Sequence, residues 1–161
     1  MVPSFPKRVY TFDEVKKARK LVETGYKHRL ITKGSPDFKK KVKTALKHIK
    51  TAGIYGFLRT YIRQIVEIDG FSQLREDEVA IWTNMQLLEN PVEAAGFFVQ
   101  KAWQMKWFIE GQPYYGGAAE ARSDEKRIEF LKELEEKSRD PTVKNECRRI
   151  LKKWAESTFV F

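Results

Sequence analysis

The chain has little of the chemistry on which most catalytic and metal sites depend. Cys147 is the only cysteine, and His28 and His48 are the only histidines, among 161 residues. A single cysteine excludes an intramolecular disulfide and a zinc site built from several cysteines, and it is typical of a reducing cytoplasm. Neither histidine belongs to a His-Glu-x-x-His or a Glu-x-x-His motif. We therefore predict no metal site, no cofactor and no catalytic residue.

Long hydrophobic runs are also missing. No segment approaches the roughly 20 consecutive apolar residues that cross a bilayer. The first ten residues hold charges and two prolines where a signal peptide would have an apolar core. We expect a cytoplasmic protein with no membrane partner.

Positive charge is plentiful, and the first part of the chain holds all of the excess. Residues 1–64 contain 17 Lys and Arg against four Asp and Glu, a net charge of +13, whereas residues 65–161 have a net charge of −4. A basic region of this kind attracts polyanions, and nucleic acid is the usual partner.

Helix signals recur along the whole sequence. Apolar residues at helical spacing continue through residues 54–69 and 74–89, and no segment alternates with period two for long. Capping residues, several of them followed by proline, mark helix starts at Thr11 with Glu14, Ser35-Pro36, Asn90-Pro91, Ser123 and Asp140-Pro141. We predict an all-α protein, a single compact bundle of about seven helices that ends in an amphipathic helical hairpin.

The same signals predict one helical domain over residues 1–161. Its basic N-terminal part is residues 1–64, a linker lies near residues 112–122, and the C-terminal helical hairpin covers residues 123–157. Cys147 falls on the apolar stripe of the last helix, so we expect it to be an inert core residue.

The helix that follows Ser35 has the clearest functional pattern. At 100° per residue its apolar residues fill an arc of about 120°, and an adjacent arc of about 100° is lysine. The lysines of this arc are Lys39, Lys40, Lys43, Lys47 and Lys50. Such a row is about three turns long and can lie along a phosphate backbone. Arg29 and Lys33 are expected to extend it. The alternative is an ordinary solvated face of a lysine-rich helix.

Two further pairs of residues each have two alternative roles. Arg59 and Arg63, one helical turn apart, either grip a phosphate or form an internal pair between Arg63 and Glu67. Tyr114 and Tyr115 either stack on unpaired bases or cap the bundle.

The helix predicted over residues 91–110 is apolar on both sides. Phe97 and Phe108 lie opposite its broad apolar face, in line with Lys101. Because two phenylalanines in water forgo burial, we predict that they meet a second subunit or, failing that, the C-terminal tail, residues 158–161. A homo-oligomer is the expected result.

These observations support three hypotheses of function. The first is a non-enzymatic protein that binds RNA or DNA through its basic helical face with little sequence specificity. The second is a protein-interaction or assembly subunit. The third is an enzyme whose site matches no known motif.

Overall fold

The computed structural model describes the backbone of residues 4–158 and the side chains of residues 4–157. Six α-helices and four short strands follow one another, with 3₁₀ turns at Glu76–Glu78 and Leu87–Glu89. The α-helices and strands are α1 (Phe12–Glu23), β1 (Ile31–Lys33), α2 (Pro36–Thr51), α3 (Tyr55–Tyr61), β2 (Gln64–Glu67), β3 (Gln73–Arg75), β4 (Ala80–Thr83), α4 (Pro91–Ile109), α5 (Gly117–Lys137) and α6 (Pro141–Thr158).

The prediction of an all-α bundle of seven helices is wrong. The described part of the chain is 64% helical, with six α-helices and a four-stranded mixed sheet, so the fold mixes α and β structure. The helix predicted over residues 54–69 ends at Tyr61, and the chain continues into β2. The helix predicted over residues 74–89 is replaced by β3, β4 and the two 3₁₀ turns.

Burial of the strands explains the error. The sheet has the order β1-β2-β4-β3, in which β1, β2 and β4 are parallel and β3 is an antiparallel edge strand. Ile65 and Ile81 are paired in neighbouring strands, and both are fully buried. Parallel strands covered on both faces read as continuous apolar runs, and a dense apolar run also fills half of a helical wheel. The β-branched residues Ile62, Ile65, Val66 and Ile68 favour the extended form.

The helices pack around α4. This helix contacts α2, α3 and α5, and most of its residues are buried, including Phe98 and Met105. The last two helices, α5 and α6, pack on each other as a hairpin, and α5 also packs on α4. The helix α5 begins at Gly117 and not at the predicted Ser123, which is buried inside α5 and donates its hydroxyl to the Glu120 carbonyl oxygen. The assignment of residues 1–161 to one domain stays a prediction.

The predicted caps are present at the other starts. Thr11 and Glu14 form a reciprocal capping box on α1. The side chains of Ser35 and Asn90 each accept a backbone hydrogen bond from the residue three positions later. Among residues 4–158, no helix has both the length and the apolar composition of a membrane-crossing segment.

Candidate nucleic-acid interface

The lysine helix α2 is fixed in place by its cap and by its apolar side. The Ser35 hydroxyl accepts from the Phe38 amide at 3.1 Å, and the Ser35 amide donates to Glu67 Oε1 of β2 at 2.8 Å. A side chain at Gly34 would come within 2.8 Å of Glu67, so glycine permits this junction. The buried residues Phe38, Val42, Ala45 and Ile49 face the interior, where α2 packs on α4. The opposite side of α2 is therefore left to solvent.

The five lysines Lys39, Lys40, Lys43, Lys47 and Lys50 are all exposed in the structure. We call them the lysine face. Within the described residues, the ion pair of α2 is Lys41 to Asp37 at 3.6 Å, and it includes none of these five. No carboxylate of the described residues therefore lies within 4 Å to neutralise their positive charge.

Tyr55 links the C-terminal end of α2 to further cations. The Lys50 Nζ atom lies 4.7 Å from the centre of the Tyr55 ring, and the Arg59 guanidinium lies 6.0 Å from it. Lys27 lies beside Gly56, within 3.4 Å of where a β-carbon would be. The sequence pattern missed this grouping because its members come from three separate segments of the chain.

Arg29 and Lys33 are both exposed. Lys33 ends β1, an edge strand that packs against α2, so it lies on the element next to the lysine face. Arg29 precedes β1 directly after the buried His28. The extension of the lysine face by these two residues stays a prediction.

Arg59 and Arg63 both donate to backbone carbonyl oxygens, and the expected pair between Arg63 and Glu67 is not among the ion pairs of the described residues. The phosphate-binding role of these arginines stays a prediction. The Arg59 Nε atom donates to the His28 carbonyl oxygen at 2.8 Å. Arg63 donates to the carbonyl oxygens of Pro6, Lys7 and Glu78, at 2.8, 2.6 and 3.0 Å. Arg63 therefore joins the N-terminal segment to the start of β2, and Arg59 joins the segment before β1 to α3. The carboxylate expected to pair with Arg63 accepts from Ser35 at the start of α2 instead.

Phe97 and Phe108 are both half-buried by contacts within the chain. The Lys101 Nζ atom lies 4.9 Å from the centre of the Phe97 ring. The Phe108 ring meets Tyr114 edge to face at a centroid distance of 5.1 Å. Their role in a subunit interface stays a prediction, and residues 159–161 of the tail lie outside the described residues.

A second concave region lies between the edge strand β3 and α4. This cleft of about 410 Å³ is lined by Lys101 together with Glu76 and Glu120. The Tyr114 hydroxyl donates to Glu76 at 3.3 Å, and burial with this carboxylate raises the pKa of Tyr114 to about 12. Opposite charges share this cleft, so it lacks the uniform sign of the lysine face.

Two further candidates for reactive chemistry are the thiol of Cys147 and any cluster of metal-ligating side chains. Burial raises the pKa of the Cys147 thiol to about 11, which disfavours the reactive thiolate. Over residues 4–158, no group of three or more His, Cys, Asp or Glu side chains is arranged to hold a metal ion.

Comparison of the chain with models of known families, with curated proteins and with solved structures finds no match. The geometry and charge of the surface are therefore the observations from which function is argued.

Proposed function

We propose that the protein binds nucleic acid, RNA or DNA, by holding the sugar–phosphate backbone on the lysine face of α2. The observation that supports this most is that five lysines are exposed in one row without a carboxylate partner among the described residues. Phosphate contacts position a protein without reading bases, so we expect little sequence specificity.

The spacing of the lysines suits a backbone ligand. Lys39 and Lys50 are eleven residues apart, which is about 16 Å along a helix that rises 1.5 Å per residue. Along the axis of duplex DNA, each strand has a phosphate about every 3.4 Å. The row is therefore long enough to meet several phosphates of a strand that runs beside it.

The lysine face also has an energetic reason to bind an anion. Lys39 and Lys43, like Lys43 and Lys47, are four positions apart on one helix, where like charges destabilise by about 0.2–0.5 kcal/mol a pair. A bound polyanion removes this repulsion and releases condensed counterions, and both effects favour association.

The test is fluorescence anisotropy with labelled single-stranded RNA, single-stranded DNA and duplex DNA over a range of salt concentrations. If all five lysines neutralise phosphates, the slope of log K against log salt should be about −4.5 for duplex DNA and about −3.5 for single strands. Oligonucleotides of equal length and different sequence should bind alike. A protein that binds none of these probes at low salt would not have the proposed function.

We further propose the cytoplasm as the compartment, a choice supported by the lone and buried Cys147. A second candidate function, a protein-interaction subunit, is favoured by Phe71 and Tyr115, whose side chains are 88% and 73% exposed. Sedimentation velocity tests its self-associating form. A sedimentation coefficient that rises with concentration would support that form, and a constant monomer value would remove it.

A further inference from the structure

A groove of about 530 Å³ lies between α2 and the turn that joins α5 to α6. Lys47 and His48 line it from α2, and Lys137, Arg139 and Asp140 line it from the other side. Lys47 also belongs to the lysine face. The groove therefore continues that face around α2, because His48 points about 100° further round the helix than Lys47.

Positive charge is in excess in this groove. The single carboxylate of its lining, Asp140, accepts from the Thr142 amide at 2.9 Å and so caps α6. Lys137 pairs with Glu133 at 2.7 Å and donates to the Ala52 carbonyl oxygen. Lys47 and Arg139 are exposed, and the side chain of neither forms an ion pair or a hydrogen bond with the described residues. Two cations of the lining are therefore without an ion pair, and with the carboxylate of Asp140 included the lining keeps an excess of positive charge.

His48 gives the groove a group that can respond to such an anion. Its imidazole is half-buried and has no hydrogen-bond partner in the part of the chain that the structure describes. Burial, together with the nearby Lys47, lowers the pKa of His48, and Asp140 opposes this shift. The ring is therefore neutral at pH 7, and an anion beside it would favour the protonated form.

We propose that this groove binds a phosphate group and that His48 takes up a proton from solvent when it does. The inference rests on the proposed function in one respect, namely that the phosphate belongs to the nucleic acid held by the lysine face. Its source is either an internal phosphodiester or a terminal phosphate of that strand. No covalent step is involved, since the phosphate binds through charge and hydrogen bonds to Lys47, His48 and Arg139.

Proton NMR of the two histidine rings tests the proposal on the full chain. His28 is 2% exposed and lies under Phe5, away from the groove, so it is an internal control. The titration is run in chloride, in inorganic phosphate at matched ionic strength, and with hexathymidylate with or without a 5′-phosphate. We expect phosphate to raise the pKa of His48 by about one unit and to leave the His28 titration unchanged. A larger shift with the phosphorylated oligonucleotide would identify the terminal group as the source, and equal shifts would identify the phosphodiester.

A matched pair of variants separates the groove from general charge. Arg139→Gln should remove most of the His48 shift, whereas Lys132→Gln, at an exposed position of α5 outside the groove, should leave it intact. If oligonucleotides bind in the anisotropy assay without moving the His48 titration, the groove inference is wrong and the proposed function stands. If inorganic phosphate moves His48 but no oligonucleotide binds, the groove inference is supported and the proposed function fails.

Discussion

The lysine face of α2 and the hairpin of α5 and α6 are both rich in cations but use them differently. In the hairpin, six cations pair with carboxylates on the same helix or on a neighbouring one. These pairs are Lys126–Glu129, Arg127–Glu93, Lys137–Glu133, Arg148–Glu135, Arg149–Glu146 and Lys152–Glu156. On α2, the described structure has Lys41–Asp37 alone.

The difference shows which charges the fold itself uses. A cation with a carboxylate neighbour already has a structural role, whether it is worth a few tenths of a kcal/mol at the surface or more when buried. Within the described residues, no lysine of the lysine face has a carboxylate partner, and Lys50 alone contacts an aromatic ring, that of Tyr55. The lysine face is therefore the part of the basic surface that requires an explanation outside the chain.

The largest expected effect on the free energy of unfolding is that of replacing Arg127, the most buried cation of the hairpin. Its guanidinium donates to Gln100 at 3.1 Å and to the Glu93 carboxylate at 3.2 Å, and its side chain is 12% exposed. Arg127→Met should lower the free energy of unfolding by about 3 kcal/mol, because Glu93 and Gln100 lose their partner. Urea denaturation measures the change.

The matched control is Lys132→Met on the same helix, where the exposed side chain should be replaceable within about 0.5 kcal/mol. Equal stabilities for the two variants would contradict the view that hairpin cations have internal roles.

The second prediction concerns the buried His28 in the basic N-terminal part, residues 1–64. It tests whether the stability of the folded chain depends on this ring being neutral. Burial, then Arg63 and Arg59, lower the pKa of His28 to about 4 from its ordinary value of 6.5. The unfolded chain therefore binds a proton more readily than the folded one between these values. Stability from the neutral ring is complete above pH 6.5 and is lost as pH falls towards 4, by about 3 kcal/mol.

Urea denaturation of wild type and His28→Phe at pH 7 and at pH 4.5 isolates this contribution, because the carboxylates titrate equally in both proteins. The wild type should lose more stability than the variant. Equal losses of stability in the wild type and in the variant would show that the fold does not disfavour protonation of the His28 ring.

The smallest expected effects on the free energy of unfolding have opposite signs on the lysine face and in the hairpin. Lys43→Gln should raise the free energy of unfolding by a few tenths of a kcal/mol, because Lys43 is repelled by lysines three and four positions away. Arg148→Gln should lower it by a similar amount, because Arg148 donates to Glu135 at 2.7 Å. Thermal unfolding at low and high salt measures both. The two changes should converge towards zero in high salt, since salt screens exposed charges.

Local signals in the sequence predicted the starts of α1, α2, α4 and α6 and the exposure of the lysines on α2, but not the sheet. Caps such as Ser35 depend on residues three positions apart, so a sequence shows them directly. The pairing of Ile65 with Ile81 joins two distant segments of four residues each, too short to display a period. The groove at His48 was equally hidden, because its second wall comes from residues 137–143. Helix periodicity predicted that Lys47 lies on the exposed side of α2. The position of Arg139 on the opposite wall of the groove depends on tertiary packing, which periodicity does not show.

The most direct test of the account compares two triple charge reversals in the anisotropy assay. Lys40, Lys43 and Lys50 of the lysine face are changed to Glu in one protein, and the exposed Lys132, Lys152 and Lys153 of the hairpin in the other. Each set lowers the net charge by six, from +9 to +3. We predict that the first protein loses oligonucleotide binding at low salt while the second keeps it with at most a modest loss. Equal losses would show that net charge, and not the lysine face, determines binding.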